Sequence, residues 1–330
     1  VNRLRVGLLS NPSAAFGSSH RTGRQVARLL HLAGISVVDI SGPTAHVARA
    51  RAMEIRDSLT ALVVVGGDGT VSLGAEIVAD TPVRLGIVPA GSGNDFARWL
   101  GLPVDDPEAA TRVLLAALSR PALSIDALEV TSAGDSTPHH RSLSLGNVNL
   151  GFDAVVNARA NSARRGRSRY TAAVLRELPA FRPFPYWIEV DGGERTELDA
   201  TLLTACNTGI FGGGMRLSPS SRIDDGTLEL AALQGLSRTQ LLRFFPRVFR
   251  GAHLGVEGFS LTGISEVTVG LRSGRSLRAY ADGEARALLP VTVRVLPGAV
   301  RLLADAAVLQ PAEPAEPAGE EIPRPEPDPG

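Results

Sequence analysis

The chain has 330 residues, 44% of them apolar, and its 34 basic side chains balance 34 acidic ones, so it is long enough for two domains with their own cores and carries no net charge to attract nucleic acid in general. All the basic residues are Arg and the only cysteine is Cys206, which leaves phosphate contacts to Arg, His and backbone and excludes an intrachain disulfide or a cysteine zinc site. No uncharged apolar run reaches the roughly 18 residues of a membrane span, so the expectation is a cytoplasmic protein whose membrane contact, if any, is peripheral. The opening Val1 to Leu9 reads as a first strand rather than a secretory signal, with Arg5 to Ser10 running into Asn11-Pro12-Ser13. A helix over Gly23–Ala33, a strand over Ser36–Ile40, a helix over His46–Ser58, a strand over Ala61–Val65, a helix over Leu73–Val78 and a strand over Leu85–Val88 follow. This alternation predicts a parallel sheet covered on both faces, with residues 1–125 as an α/β domain.

After Pro121 the pattern changes. Strands are expected over Ser124–Thr131, Arg141–Asn149, Pro185–Val190, Glu197–Asn207, Thr227–Leu233, Glu266–Gly270, Ser276–Ala281 and Val291–Val295, joined by polar or Gly turns. They predict a largely antiparallel second domain over 126–308, interrupted by helical segments at Ala154–Leu178 and Arg238–Arg250. Residues 309–330 hold a Pro- and Glu-rich tail whose composition cannot build a core and predicts disorder.

Two Gly-rich turns carry the chemistry. Gly66-Gly67-Asp68-Gly69-Thr70 follows the β-branched strand Val63-Val64-Val65. Glycines there allow close backbone approach to phosphate oxygens. Asp68 suits Mg²⁺, held directly or through water, and Thr70 and Ser72 can donate hydroxyls. The alternative is an ordinary strand-to-helix turn, which three glycines around one Asp make an expensive choice. It is not a Walker A loop, because the Gly-Lys-Ser/Thr ending is missing. Gly91-Ser92-Gly93-Asn94-Asp95-Phe96-Ala97-Arg98 follows the next strand. One of Asn94 and Asp95 suffices to cap a helix there, which frees Asp95 for the metal or a substrate hydroxyl, with Arg98 one turn on facing a phosphate.

Three further motifs lie in the second domain. Asp282-Gly283-Glu284 is either a hairpin turn, which Asp-Gly favours, or a carboxylate delivered across the cleft as a general base. Three successive glycines in Phe211-Gly212-Gly213-Gly214-Met215 imply close packing of backbone or ligand. Asp224-Asp225-Gly226 is a plain turn or, with backbone carbonyls, a cation site.

Together these motifs resemble the diacylglycerol kinase catalytic-domain family, in particular its soluble bacterial lipid kinases, and sphingosine kinases share the pattern. The match runs from Asn11-Pro12-Ser13 to Leu303 and includes Asn149-Leu150-Gly151-Phe152-Asp153-Ala154. The resemblance implies a phosphofructokinase- or NAD-kinase-like α/β domain, a C-terminal β-sandwich domain, and ATP with Mg²⁺ in the cleft between them. It implies that Gly66, Gly67, Asp68, Gly69, Thr70, Val71 and Ser72 bind the ATP phosphates and that Thr44 lies near the nucleotide. Ser92 stands where the family usually has Thr. Glu284 matches the proton acceptor, aided by Asp95. Asp225, with the carbonyls of Arg222 and Thr227, matches a structural Mg²⁺ site. The chain departs from the family after Asn11-Pro12-Ser13, where Ala14-Ala15-Phe16-Gly17 replaces an early Gly and Lys, leaving Arg21 and Arg24 as the nearest cations.

The implied activity is Mg²⁺- and ATP-dependent phosphorylation of a lipid hydroxyl, foremost that of diacylglycerol. Sphingoid bases, prenols and glycolipids are alternative acceptors, and a non-catalytic lipid-binding or regulatory protein of the same fold is the rival of another class. NAD kinases share Gly-Gly-Asp-Gly but lack the Asn-Asp-Phe-Ala-Arg run. A lipid substrate in turn implies docking on a membrane surface. Two segments suit it: the arginine run Arg159, Arg164, Arg165, Arg167 and Arg169, and Arg238–Arg250, where Leu241, Phe244, Phe245, Val248 and Phe249 share one helical face. The alternative for the second is a helix that buries its Phe residues against the sandwich. The sequence leaves oligomeric state open, a homodimer included.

Overall fold

The computed structural model of the chain describes residues 4–10, 18–132, 142–151, 154, 182–274 and 276–309. Asn11-Pro12-Ser13, the segment after Ala154 for which a helix was expected, with its arginine run, and the Pro- and Glu-rich tail from residue 310 lie outside those residues.

The first domain alternates as its pattern requires: β1 (Arg5–Ser10), α1 (Ser18–Leu32), β2 (Ser36–Asp39), α2 (Ala45–Ile55), β3 (Ala61–Gly66), α3 (Asp68–Val78) and β4 (Arg84–Pro89). The strands lie in the order β2-β1-β3-β4, all parallel. Every residue of β3 is buried, because helices cover both faces. Val63 and Val65 share a core with Val26 and Leu30 of α1. Leu62 and Val64 share another with Ala52 of α2 and Ala75 of α3. The short α4 (Asp95–Trp99) and then α5 (Pro107–Leu118) follow β4. The sequence reading above passed over α5, although Asp106 caps it by accepting from the Ala109 amide at 2.9 Å and Pro107 opens its first turn.

The second domain is antiparallel and sandwich-like. Its strands are β5 (Leu123–Ser132), β6 (Ser142–Ser144), β7 (Asn147–Asn149), β8 (Phe184–Val190), β9 (Thr196–Cys206), β10 (Ile210–Phe211), β11 (Met215–Arg216) and β12 (Leu228–Gln234). After α6 (Arg238–Arg250) come β13 (Phe259–Ile264), β14 (Glu266–Leu271), β15 (Arg278–Ala281), β16 (Glu284–Leu288) and β17 (Val291–Leu302). Leu128, Val130, Leu203, Val267 and Val293 belong to its core.

Two strands differ from expectation. Arg141–Asn149 reads as one strand, but the chain breaks at Leu145-Gly146: β6 pairs with β5, and β7 with β9 and β15. The break seats Gly146 against Asp282, whose Oδ1 would lie 2.4 Å from a Cβ at that position. Val291–Val295 is the first half of a strand that continues to Leu302. Pro297 and Gly298 interrupt its register with β5 between Leu296 and Val300 without ending it, since Asp126 accepts from the Gly298 amide at 2.7 Å. Beyond the bulge β17 pairs in parallel with β4, and Val300 and Leu302 enter the first domain's core. One strand therefore joins the two sheets and fixes the cleft between them.

Candidate active site

The two Gly-rich turns meet backbone to backbone. Gly66 ends β3, and its carbonyl accepts from the Ala90 amide at 2.8 Å after β4. A Cβ on Gly91 would lie 2.4 Å from the Gly67 Cα, so the loops touch where Gly91 cannot carry a side chain and Gly67 has little room for one. Asn94 sits in the left-handed region at φ 58°. Its side chain accepts from the Gly91 amide and donates to the Gly91 carbonyl, both at 2.9 Å. This corrects the expected helix cap: Asn94 staples its own turn, and the Phe96 amide of α4 is met by Asp68 Oδ1 at 3.1 Å. Asp95 begins α4 and points elsewhere, accepting from the Gly213 amide at 3.0 and 3.1 Å.

That amide belongs to the tip of the β10–β11 hairpin. Gly212, Gly213 and Gly214 have φ of 60°, 86° and 112°, a run that side chains resist. A Cβ on Gly213 or Gly214 would meet nothing within 4 Å. The three glycines thus serve backbone conformation, and at Gly213 and Gly214 no described protein atom packs close enough to require one.

The second domain supplies Asp282 and Glu284. Asp282 and Gly283 have φ of 51° and 78°, as an Asp-Gly hairpin between β15 and β16 requires. The motif is both a turn and a device that aims carboxylates at the first domain. Asp282 accepts from the hydroxyl of Ser72, one turn into α3. The Glu284 carboxylate packs on Gly69, with Oε1 2.3 Å from where a Cβ would stand.

Three carboxylates from separate segments therefore share one half-buried space, and each resists ionisation. Burial raises Asp68 above the usual range, against the Phe96 amide and its neighbours. Burial, then the charges of Asp68 and Asp282, push Asp95 up to about 7, with the Gly213 amide and Arg98 opposing. Asp282 is pushed up to about 6, by burial first and the Asp68 charge after the Ser72 hydrogen bond has lowered it. Hard oxygen donors held at this cost fit a divalent cation, which would relieve burial and repulsion together. Among the described residues no three His, Cys, Asp or Glu side chains form a metal-binding group by themselves, so water and phosphate oxygens would have to complete a Mg²⁺ shell.

Beside this space a pocket of about 180 Å³ is lined by Ser10, Thr44, Gly69, Thr70, Glu284 and Arg286, among others. Thr44 also caps α2, accepting from the Val47 amide at 3.3 Å. Thr70 folds its hydroxyl over Gly66. Ser72 is buried, with its hydroxyl turned to Asp282. Ser92 is exposed. Arg98 Nε donates to the Gly93 carbonyl at 3.1 Å. Thr44, Gly69 and Glu284 thus line one pocket, Asp68 and Asp95 lie together with Asp282 beside it, and Ser72 serves the contact between domains.

One part of the pocket wall escaped the sequence reading. Glu76 of α3 pairs with Arg49 of α2 and, at 3.4 Å, with Arg286 of β16, and it accepts from the Leu143 amide at 3.2 Å. Burial, then the neighbouring Arg286, lowers the Arg49 pKa. Arg286 Nε and Nη2 are buried with no partner among the described residues. Two guanidinium groups around one carboxylate leave this part of the wall with one positive charge, balanced in the same lining by Glu284. The only sequence signal was the absence of Lys, which assigns phosphate contacts to Arg without saying which.

Asp225 lies away from this cleft. Its Oδ1 accepts from the Thr227 amide at 3.0 Å and hydroxyl at 2.8 Å. Arg222 pairs instead with Asp224, and Asp126 accepts from the Gly226 amide at 2.8 Å. Burial raises the Asp126 pKa, with Asp225 and Asp224 adding to it. Two acids of this turn, Asp224 and Asp225, thus stand beside Asp126 of β5, with Arg222 on Asp224.

Two family models match the chain: the diacylglycerol kinase catalytic domain over residues 5–127, and the YegS C-terminal NAD kinase beta sandwich-like domain over residues 146–304. A diacylglycerol kinase of Mycobacterium tuberculosis is 36% identical over 303 residues, covering 91% of this chain and 94% of that protein. A diacylglycerol kinase of Bacillus subtilis is 26% identical over 295 residues, covering 87% and 91%. The crystal structure of a diacylglycerol kinase from Bacillus anthracis shares the fold, with a TM-score of 0.66 at 19% identity over 93% of this chain and 99% of that one.

Proposed function

This chain belongs to the diacylglycerol kinase and YegS-like lipid kinase family, and from that premise we propose that it transfers the γ-phosphoryl group of ATP to the hydroxyl of diacylglycerol, giving phosphatidic acid and ADP. The observation that carries this reading is the packing of Glu284, from the second domain, on Gly69 in the phosphate-binding turn of the first. An acceptor hydroxyl beside Glu284 would lie at the mouth of that turn. Glu284 takes the hydroxyl proton as the oxygen bonds to the γ-phosphorus and the bond to the β-phosphate oxygen breaks, with ADP leaving. Asp95 stands by as a second acceptor, fixed by the Gly213 amide.

The backbone of Gly66, Gly67 and Gly69 approaches the phosphates, and Thr44 borders the nucleotide. Arg286, held by Glu76, supplies the cation that a Lys provides elsewhere. Arg98 steadies charge on the transferring group. When bound, Mg²⁺ would neutralise phosphate charge, held by Asp68 with water and phosphate oxygens completing its shell; a second, structural Mg²⁺ would sit at Asp225 with the carbonyls of Arg222 and Thr227. We divide the chain near residue 125 into the nucleotide-binding and lipid-kinase domains, and place the reaction at the cytoplasmic face of a membrane, where ATP and the lipid meet.

The test is ADP release by the full chain with ATP, Mg²⁺ and lipid in detergent micelles. Diacylglycerol is expected to drive release and to appear as phosphatidic acid. Turnover only with a sphingoid base, prenol or glycolipid would move the substrate. No turnover with any lipid would leave a lipid-binding protein, and turnover with NAD would make it an NAD kinase.

A further inference from the structure

Helix α6 divides its side chains unequally between core and solvent. Ser237 and Gln240 form a capping box at its start, and Gly251, at φ 69°, ends it. Leu241, Phe244 and Val248 are buried with Phe211 and Met215 of the β10–β11 hairpin. The expectation that Phe249 shares this face does not hold: it is 41% exposed, and Leu242 is 49% exposed. These two are seven residues apart, hence on one stripe, with Pro246 exposed between them. Leu254, just past the helix, is 51% exposed. Arg243, Arg247 and Arg250 border the stripe, all exposed, and Arg238–Arg250 contains no acidic residue. Where α5 exposes Val113, by contrast, Glu108 and Arg112 neutralise each other.

We propose that the outer face of α6 docks on an anionic lipid bilayer, with Leu242 and Phe249 entering the boundary between headgroups and acyl chains and the arginines meeting lipid phosphates. Uncompensated positive charge beside exposed apolar side chains matches that surface and repels a second copy of the same helix. The position fits the use. The buried face of α6 grips the hairpin whose tip amide bonds Asp95, so the docked helix sets the lipid side of the cleft at the membrane. This inference rests on the lipid-kinase reading.

The experiment is co-sedimentation of the full chain with vesicles of phosphatidylcholine alone and of phosphatidylcholine mixed with phosphatidylglycerol. Binding to the mixed vesicles only, weakened by salt, is expected. Arg243→Gln and Arg250→Gln should each reduce it about fivefold. The double variant L242S/F249S should reduce it further, and turnover on short-chain lipid in micelles should stay as in the wild type. Equal binding to both vesicle types, wild-type binding by these variants, or light scattering that shows a wild-type dimer and a monomeric L242S/F249S would overturn the docking face. Failure of micelle turnover in the wild type would instead strike the kinase reading, with the vesicle result still standing.

Discussion

The carboxylate of Glu284 lies so close to Gly69 that a methyl group there would stand 2.3 Å from Oε1 and 2.8 Å from Cδ. Gly69 is in the first turn of α3, where alanine is otherwise favoured. Gly69→Ala should therefore leave the helix intact and displace Glu284, the proposed proton acceptor. Both Gly69→Ala and Glu284→Gln should lower turnover by about 10²-fold, and the double variant should lose little more, because both remove one function. Steady-state turnover in lipid micelles measures this. Full activity in Gly69→Ala would dissociate that contact from catalysis.

Asp68 meets the Phe96 amide and lies under the Gly93 Cα, and no neighbour replaces it on that amide. Asp68→Ala should abolish activity while the protein remains folded. Asp68→Asn keeps an acceptor for Phe96, so it should be equally inactive and at least as stable as the wild type, since burial opposes the charge it removes. Near-wild-type turnover in either variant would reject the metal role.

Burial, with the Asp68 charge, pushes Asp95 from the ordinary carboxylate value of 3.8 up to about 7 in the folded chain. Between those values the folded chain binds more protons than the unfolded one. Its contribution to stability therefore falls as pH rises through that window and is lowest above it. Asp282, raised to about 6, slopes the same way. Metal-free Asp95→Asn should accordingly melt above the wild type at about pH 8, by roughly 3 °C for each kcal/mol, and the gap should close towards about pH 4. Other carboxylates titrate in both proteins, so the difference between them is the observable. A gap that is absent or independent of pH would mean that Asp95 ionises without penalty.

The sequence made the parallel sheet legible, because Ala61 to Val65 of β3 is an uninterrupted apolar run, as two-sided burial requires. Gly spacing marked the turns that carry Asp68 and Asp95, since short turns limit where their side chains can point, whereas Glu284 was singled out through the family resemblance, its Asp-Gly turn alone leaving a plain hairpin open. Asn94 was misread because a local cap and a local staple use the same side chain, and the choice depends on Asp68 arriving from 26 residues upstream. The Arg49–Glu76–Arg286 group could not be read at all: its members lie on α2, α3 and β16, with no motif linking them. The second half of β17 was hidden by Pro297 and Gly298, which end most strands, and here Asp126 holds the bulge in place.

Asp225→Ala removes the acceptor of both the Thr227 amide and hydroxyl, which should cost about 1 kcal/mol for each bond lost. A structural Mg²⁺ adds a distinct signature. Adding Mg²⁺ should raise the melting temperature of the wild type more than that of Asp225→Ala, because only the folded wild type binds the ion there. Equal responses would leave Asp225 as a turn residue.

Arg286 is the clearest candidate for recognising the nucleotide. It lines the pocket beside Thr44 and Thr70, its Nη1 meets Glu76, and Nε and Nη2 remain buried without a partner among the described residues. A buried guanidinium with spare donors is costly to the free protein and ready for a phosphate oxygen, where charge-assisted bonds are strongest. Arg286→Met keeps the aliphatic bulk and leaves Glu76 paired with Arg49. It should raise KM for ATP about tenfold, the equivalent of roughly 1.4 kcal/mol, with KM for the lipid unchanged. Arg286→Lys should recover part of the loss, since it restores charge without the planar fork. If Arg286→Met instead lowers only the melting temperature and leaves KM for ATP as it was, Arg286 braces the domains through Glu76 and does not bind nucleotide.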